Sequence, residues 1–62
     1  MTPTCQQIRE KRHAVGLTQA QAAKLLFTTA NVWSQWERGA RRMHPAFWAY
    51  FILVTKLRGP LN

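Results

Sequence analysis

The sequence contains no aspartate, and its only side-chain carboxylates are Glu10 and Glu37. General acid–base catalysis therefore has almost no candidates, and the chain is not expected to be an enzyme. A single cysteine, Cys5, excludes an intrachain disulfide. A domain this small without a disulfide or metal framework fits a reducing cytosol better than secretion. His13 and His44 have no metal-ligand spacing with Cys5, so no metal is expected, and no cofactor either. There is no glycine-rich phosphate loop, and no small-molecule substrate is evident. The longest apolar run, Ala46 to Val54, is far below the roughly 20 residues that span a bilayer. The N-terminus has no apolar signal-peptide segment. No repeat, linker or low-complexity stretch divides the chain.

What is present is basic and apolar. Lys and Arg number nine, for a net charge of +7, while 47% of the residues are hydrophobic and three are Trp. Such a balance points to a polyanionic partner, either nucleic acid or an anionic membrane surface. The membrane reading is the weaker, because the charges are spread over the chain rather than gathered on one amphipathic face. Sixty-two residues allow one domain, 1–62, and a chain this short has a marginal core. It begins at Met with no tag, as a complete small protein would.

Capping chemistry sets out four helices, at about 5–15, 18–26, 29–38 and 45–57, and an all-α fold. Thr4 with Gln7 and Thr18 with Gln21 form capping boxes, and Leu17 is placed before the second cap. Thr2 with Pro3 is a competing start for the first helix. Gly16 and Gly39 supply left-handed stops, and Thr29 caps the third helix. Pro45 suits the first position of the fourth, which ends with Lys56, Arg58 and the stop Gly59-Pro60. Cys5, Ile8, Arg12 and Val15 share a face of the first helix, and Cys5 is expected to be buried. In the fourth helix Phe47, Tyr50, Phe51, Val54 and Leu57 form the expected inward stripe. Trp48, Ile52 and Leu53 are left as a second apolar surface and as dimer-interface candidates.

The third helix is two-faced. Asn31, Ser34, Gln35 and Arg38 recur at helical spacing and make a polar stripe. Trp33 and Trp36 point the other way and are read as core. Amides on an exposed helix read base edges well and do little covalent chemistry. Arg41 and Arg42 follow in a basic loop.

The stretch LTQAQAAKLLFTTANVWSQWERGARR resembles the helix-turn-helix of the Cro/cI-like (XRE) family of phage and plasmid transcriptional repressors. The match runs through Leu17-Thr18-Gln19, Ala23, Leu26, the Thr28-Thr29 turn and Glu37-Arg38-Gly39. The resemblance implies a compact domain of lambda-repressor-like type with its third helix in the major groove. It places Ala30, Asn31, Ser34 and Gln35 at base edges, and Gln19, Thr29, Arg38, Arg41 and Arg42 on phosphates. Lys24 and Arg9 have a weaker claim on the backbone. It pairs Arg12 with Glu37 as a structural salt bridge. Phe27 stands where the family usually has a left-handed glycine, so a rearranged turn is expected. Thr28 stands where a buried aliphatic is usual.

The expected function is sequence-specific recognition of double-stranded DNA in the bacterial cytosol. The chain would act as a repressor, bound as a homodimer to an inverted-repeat operator. The alternative is a protein-interaction module, antitoxin-like or an adaptor, that uses the apolar fourth helix and binds DNA only secondarily.

Overall fold

The computed structural model describes residues 2–58. Met1 and the predicted Gly59-Pro60 stop lie outside the described residues, as does the side chain of Arg58. Four helices follow in order: α1 (Cys5–Ala14), α2 (Gln19–Leu25), α3 (Ala30–Glu37) and α4 (Pro45–Arg58). No strand occurs among the described residues. The expected spans agree to within a residue or two at each end, the usual fraying of helix boundaries.

Each start is built as the sequence implies. Thr4 and Thr18 close reciprocal capping boxes with Gln7 and Gln21, and the Thr29 hydroxyl accepts from the Val32 amide. His44, immediately before Pro45, caps α4: its Nδ1 accepts from the Ala46 amide at 3.0 Å. Three helix ends share one device. The amides of Leu17, Thr28 and Ala40 reach back to the carbonyls of Arg12, Ala23 and Gln35. The residue before each amide takes a positive φ: Gly16 at 73°, Phe27 at 59° and Gly39 at 76°. These are Schellman ends.

The turn between α2 and α3 is therefore not rearranged, contrary to expectation. Phe27 itself adopts the left-handed conformation, with its side chain 87% exposed. Thr28 is half-buried. A left-handed non-glycine residue costs about 1–2 kcal/mol, and an exposed ring loses little packing to offset it. Phe27→Gly should raise stability by about 1 kcal/mol and the melting midpoint by about 4–8 °C, read by thermal unfolding. An unchanged or lower midpoint would mean that the ring makes contacts worth as much as the strain.

Trp33, fully buried, is the hub of the core. It meets Trp36 edge-on at 5.5 Å and Phe51 of α4 at 5.0 Å. Ile8, Leu17, Ala22, Ala23, Leu26 and Met43 complete the cluster. The alanines let α2 approach α3 closely, as the steep turn demands.

Two expectations are corrected by this packing. Cys5, the first residue of α1, is exposed. The inward stripe of α4 is rotated by about one position, or roughly 100°. Phe51 and Thr55 are buried, and Trp48, Ile52 and Val54 are half-buried, with Trp48 packed on the core. Phe47, Tyr50, Leu53 and Leu57 are exposed. Thr55 tolerates burial because its hydroxyl donates to the Phe51 carbonyl at 2.7 Å, so no polar group is left unpaired. Of the three residues expected to form a second apolar surface, only Leu53 stands clear of the domain.

Candidate nucleic-acid interface

The site is built on α3 and held from behind by one carboxylate. Glu37, in the last turn of α3, is 3% exposed. Its Oε2 accepts from Arg12 Nε and from Trp33 Nε1, the latter at 2.6 Å. Its Oε1 accepts from Arg12 Nη2 and Gln19 Nε2, both at 3.1 Å. Arg12 Nη1 donates to the Leu17 carbonyl. The pair thus ties α1, the start of α2 and α3 together. Burial alone would push the Glu37 carboxyl up; hydrogen bonds from Arg12, Trp33 and Gln19 and the Arg12 charge outweigh it. The group is held below the usual glutamate range.

The predicted Arg12–Glu37 pair is present. Trp33 and Gln19 were not foreseen as members. The Trp33 contact had a signal, since Trp33 and Glu37 are four apart on one helix and so lie on one face. Gln19 had none, because its partner is 18 residues away. One of its two amide protons is committed to Glu37, leaving the other for a phosphate. Arg9, half-exposed, donates to the Glu37 carbonyl, which holds it on α1 near the end of α3.

The opposite side of α3 carries the polar stripe. Ala30 and Asn31 are exposed, and Ser34 and Gln35 are half-buried. The Ser34 hydroxyl accepts from Arg38 Nε at 3.3 Å, so these two form a local pair. The side-chain amides of Asn31 and Gln35 have no hydrogen-bond partner among the described residues. The Thr29 hydroxyl accepts within the cap and keeps its own proton to donate. The basic loop is fastened to the same helix: the Ala40 and Arg41 amides both donate to the Gln35 carbonyl, at 2.9 and 3.2 Å. Ion pairs among the described residues involve Glu37 alone. Arg38, Arg41 and Arg42, all exposed, therefore have no carboxylate partner among the described residues.

Free amides on an exposed helix face, a basic loop fastened to the end of that helix and a second helix joined to it by a tight turn define a helix-turn-helix DNA-binding domain. The chain belongs to the helix-turn-helix domain family, whose sequence pattern matches residues 6–59. That membership is consistent with the Cro/cI-like resemblance. The chain is also 37% identical over 51 residues to the Type II methyltransferase M.MspI of Moraxella sp; the match takes in 82% of this chain and 12% of that protein. No helix among the described residues is long and apolar enough to cross a membrane.

Proposed function

We propose that this domain is a sequence-specific transcriptional regulator, a repressor that binds an inverted-repeat operator as a homodimer in the bacterial cytosol. In this reading α3 enters the major groove. Asn31 and Gln35 hydrogen-bond base edges, Ala30 meets a thymine methyl, and Ser34 contributes where Arg38 releases it. Gln19, Thr29, Arg38, Arg41 and Arg42 hold phosphates. The chain itself carries out no catalysis. The observation that supports this most is the pair of unpartnered amides on the exposed face of α3.

Dimerisation is supported by α4. Tyr50, Leu53 and Leu57 are 42%, 52% and 77% exposed, and no charged residue interrupts Pro45 to Thr55. Two copies of a +7 chain need an uncharged face on which to meet. The expected half-site separation is about one helical turn, roughly 34–36 Å. Sedimentation at high micromolar concentration should show dimer, and Leu53→Lys should return monomer with an unchanged melting midpoint. A wild-type monomer at that concentration would remove α4 as the dimer face.

The likeness to a Type II methyltransferase favours a second reading, in which such a domain supplies DNA binding to a methyltransferase. Selection of bound sequences from a random duplex pool separates the two. An A·T-containing palindrome supports the dimeric regulator, and a single unrepeated site supports the module. No enriched sequence would count against both and turn attention to α4 as a protein-docking face.

A further inference from the structure

The N-terminus of α1 and the α3–α4 loop enclose a half-open cavity of about 490 Å³, within the size range of small-molecule sites. Its floor is apolar: Ile8, Trp36 and Met43 line it, none more than 3% exposed. Its rim carries Arg41 and Arg42 and no carboxylate. The Trp36 indole N–H is, among the described residues, the one buried side-chain donor without a hydrogen-bond partner. Such donors are rare because each forfeits a hydrogen bond made in water. Cys5 joins the two walls, with its Sγ 3.9 Å from where a side chain on Gly39 would begin.

We propose that this cavity binds a small organic anion, a carboxylate or phosphate monoester carried on an apolar body. The charged head sits between Arg41 and Arg42. The body lies against the apolar part of the lining, on the side of Ile8, Trp36 and Met43. A lone phosphate of the DNA backbone uses the rim but has nothing for the floor. Occupancy takes two guanidiniums away from the DNA backbone, so the anion competes with DNA. The competition rests on Arg41 and Arg42 holding phosphates; binding in the cavity does not.

The test uses phenyl phosphate as probe and inorganic phosphate as the head group alone, followed by the indole and backbone amide resonances of the full chain without DNA. Phenyl phosphate should shift the Trp36 indole and the Gly39 amide together and saturably. It should bind at least about tenfold more tightly than inorganic phosphate, because it alone covers the floor. Cys5→Leu narrows the cavity where its two walls meet and keeps both arginines, and should weaken phenyl phosphate at least about tenfold while leaving DNA binding intact. Arg42→Gln, which leaves the floor alone, should weaken it similarly and guards against a folding defect in the first variant. Equal affinity for the two phosphates would overturn the site. So would shifts spread to Lys24 and Lys56, or unaltered binding in both variants. Saturating phenyl phosphate should also weaken binding to a random-sequence duplex in the parent and not in Cys5→Leu. If the cavity binds and the duplex is unaffected, the competition falls and, with it, the phosphate role of the two arginines.

Discussion

Glu37→Gln should leave this domain at the edge of unfolding. The parent, at 62 residues, has a total stability of roughly 3–9 kcal/mol by the usual per-residue figure. The substitution leaves the Arg12 guanidinium, whose side chain is only 13% exposed, without its counter-charge. Breaking a buried pair from one side costs about 3–5 kcal/mol. The new amide presents a donor where Arg12, Trp33 and Gln19 all donate, so the loss is not confined to one bond. A fall in the melting midpoint of at least about 12 °C is expected. A midpoint within a few degrees of the parent would sink the brace.

Removing both charges, as in Arg12→Met with Glu37→Met, should recover part of the loss. Recovery stays incomplete because the buried Trp33 indole then has no acceptor. The same carboxylate gives a pH signature whose sign is fixed. Its folded pKa is depressed, so the stability it supplies is complete above the unfolded glutamate value, about 4.3. That contribution is lost as pH falls through the folded pKa. Unfolding followed from pH 7 down to 2 should show a plateau and then a decline no steeper than about 1.4 kcal/mol per pH unit, the limit for one proton. Glu10 is the sole other side-chain carboxylate, so Glu37→Gln should flatten most of the decline. A persistent decline in that variant would assign it elsewhere.

Local features of this fold were legible before the structure, and the orientation of α4 was not. Thr4, Thr18 and Thr29 announce helix starts because a cap needs only residues two or three positions away. The ends at Gly16 and Gly39 are equally local. The Arg12–Glu37 pair was reached through the resemblance, since nothing in its spacing places α1 against α3. Phe27 misled through chemistry: a ring was expected to refuse a left-handed backbone, but the six-residue closure onto Ala23 holds it there. In α4 the apolar residues surround the helix, so periodicity could not fix its rotation. The deciding residue was Thr55, a polar side chain that pairs with its own helix and passes inward. Cys5 failed for a simpler reason, as composition favours burying cysteine but Cys5 lies at the half-open cavity between the first turn of α1 and the α3–α4 loop. At the DNA face, the stripe itself was readable, and what escaped was the pairing of Ser34 with Arg38 and of Gln19 with Glu37. Both depend on where long side chains fold back, which spacing alone does not give.

Those pairings sharpen what the DNA face should do under mutation. Asn31 and Gln35 are the stripe amides with no partner among the described residues, so they should carry most of the discrimination between sequences. Against the duplex recovered by selection, Gln35→Ala should lose about 1–3 kcal/mol, roughly a 5- to 150-fold weakening. Its affinity for unrelated duplex should stay near that of the parent. Arg41→Ala should behave oppositely. Its backbone amide remains bonded to the Gln35 carbonyl, so the loop keeps its place and only the guanidinium is lost. Affinity should then fall by a similar factor on every duplex, and the slope of log affinity against log salt should become shallower by about 0.9 for the one phosphate contact removed. Ser34→Ala should be milder than Gln35→Ala, because the hydroxyl is already engaged and its loss frees Arg38 for the backbone. Uniform weakening by Gln35→Ala, with an altered salt slope, would show that α3 lies along the phosphates instead of in the groove. A sequence-selective loss in Arg41→Ala would place the loop at base edges. Either result would reverse the division of labour between helix and loop while leaving the domain a DNA binder.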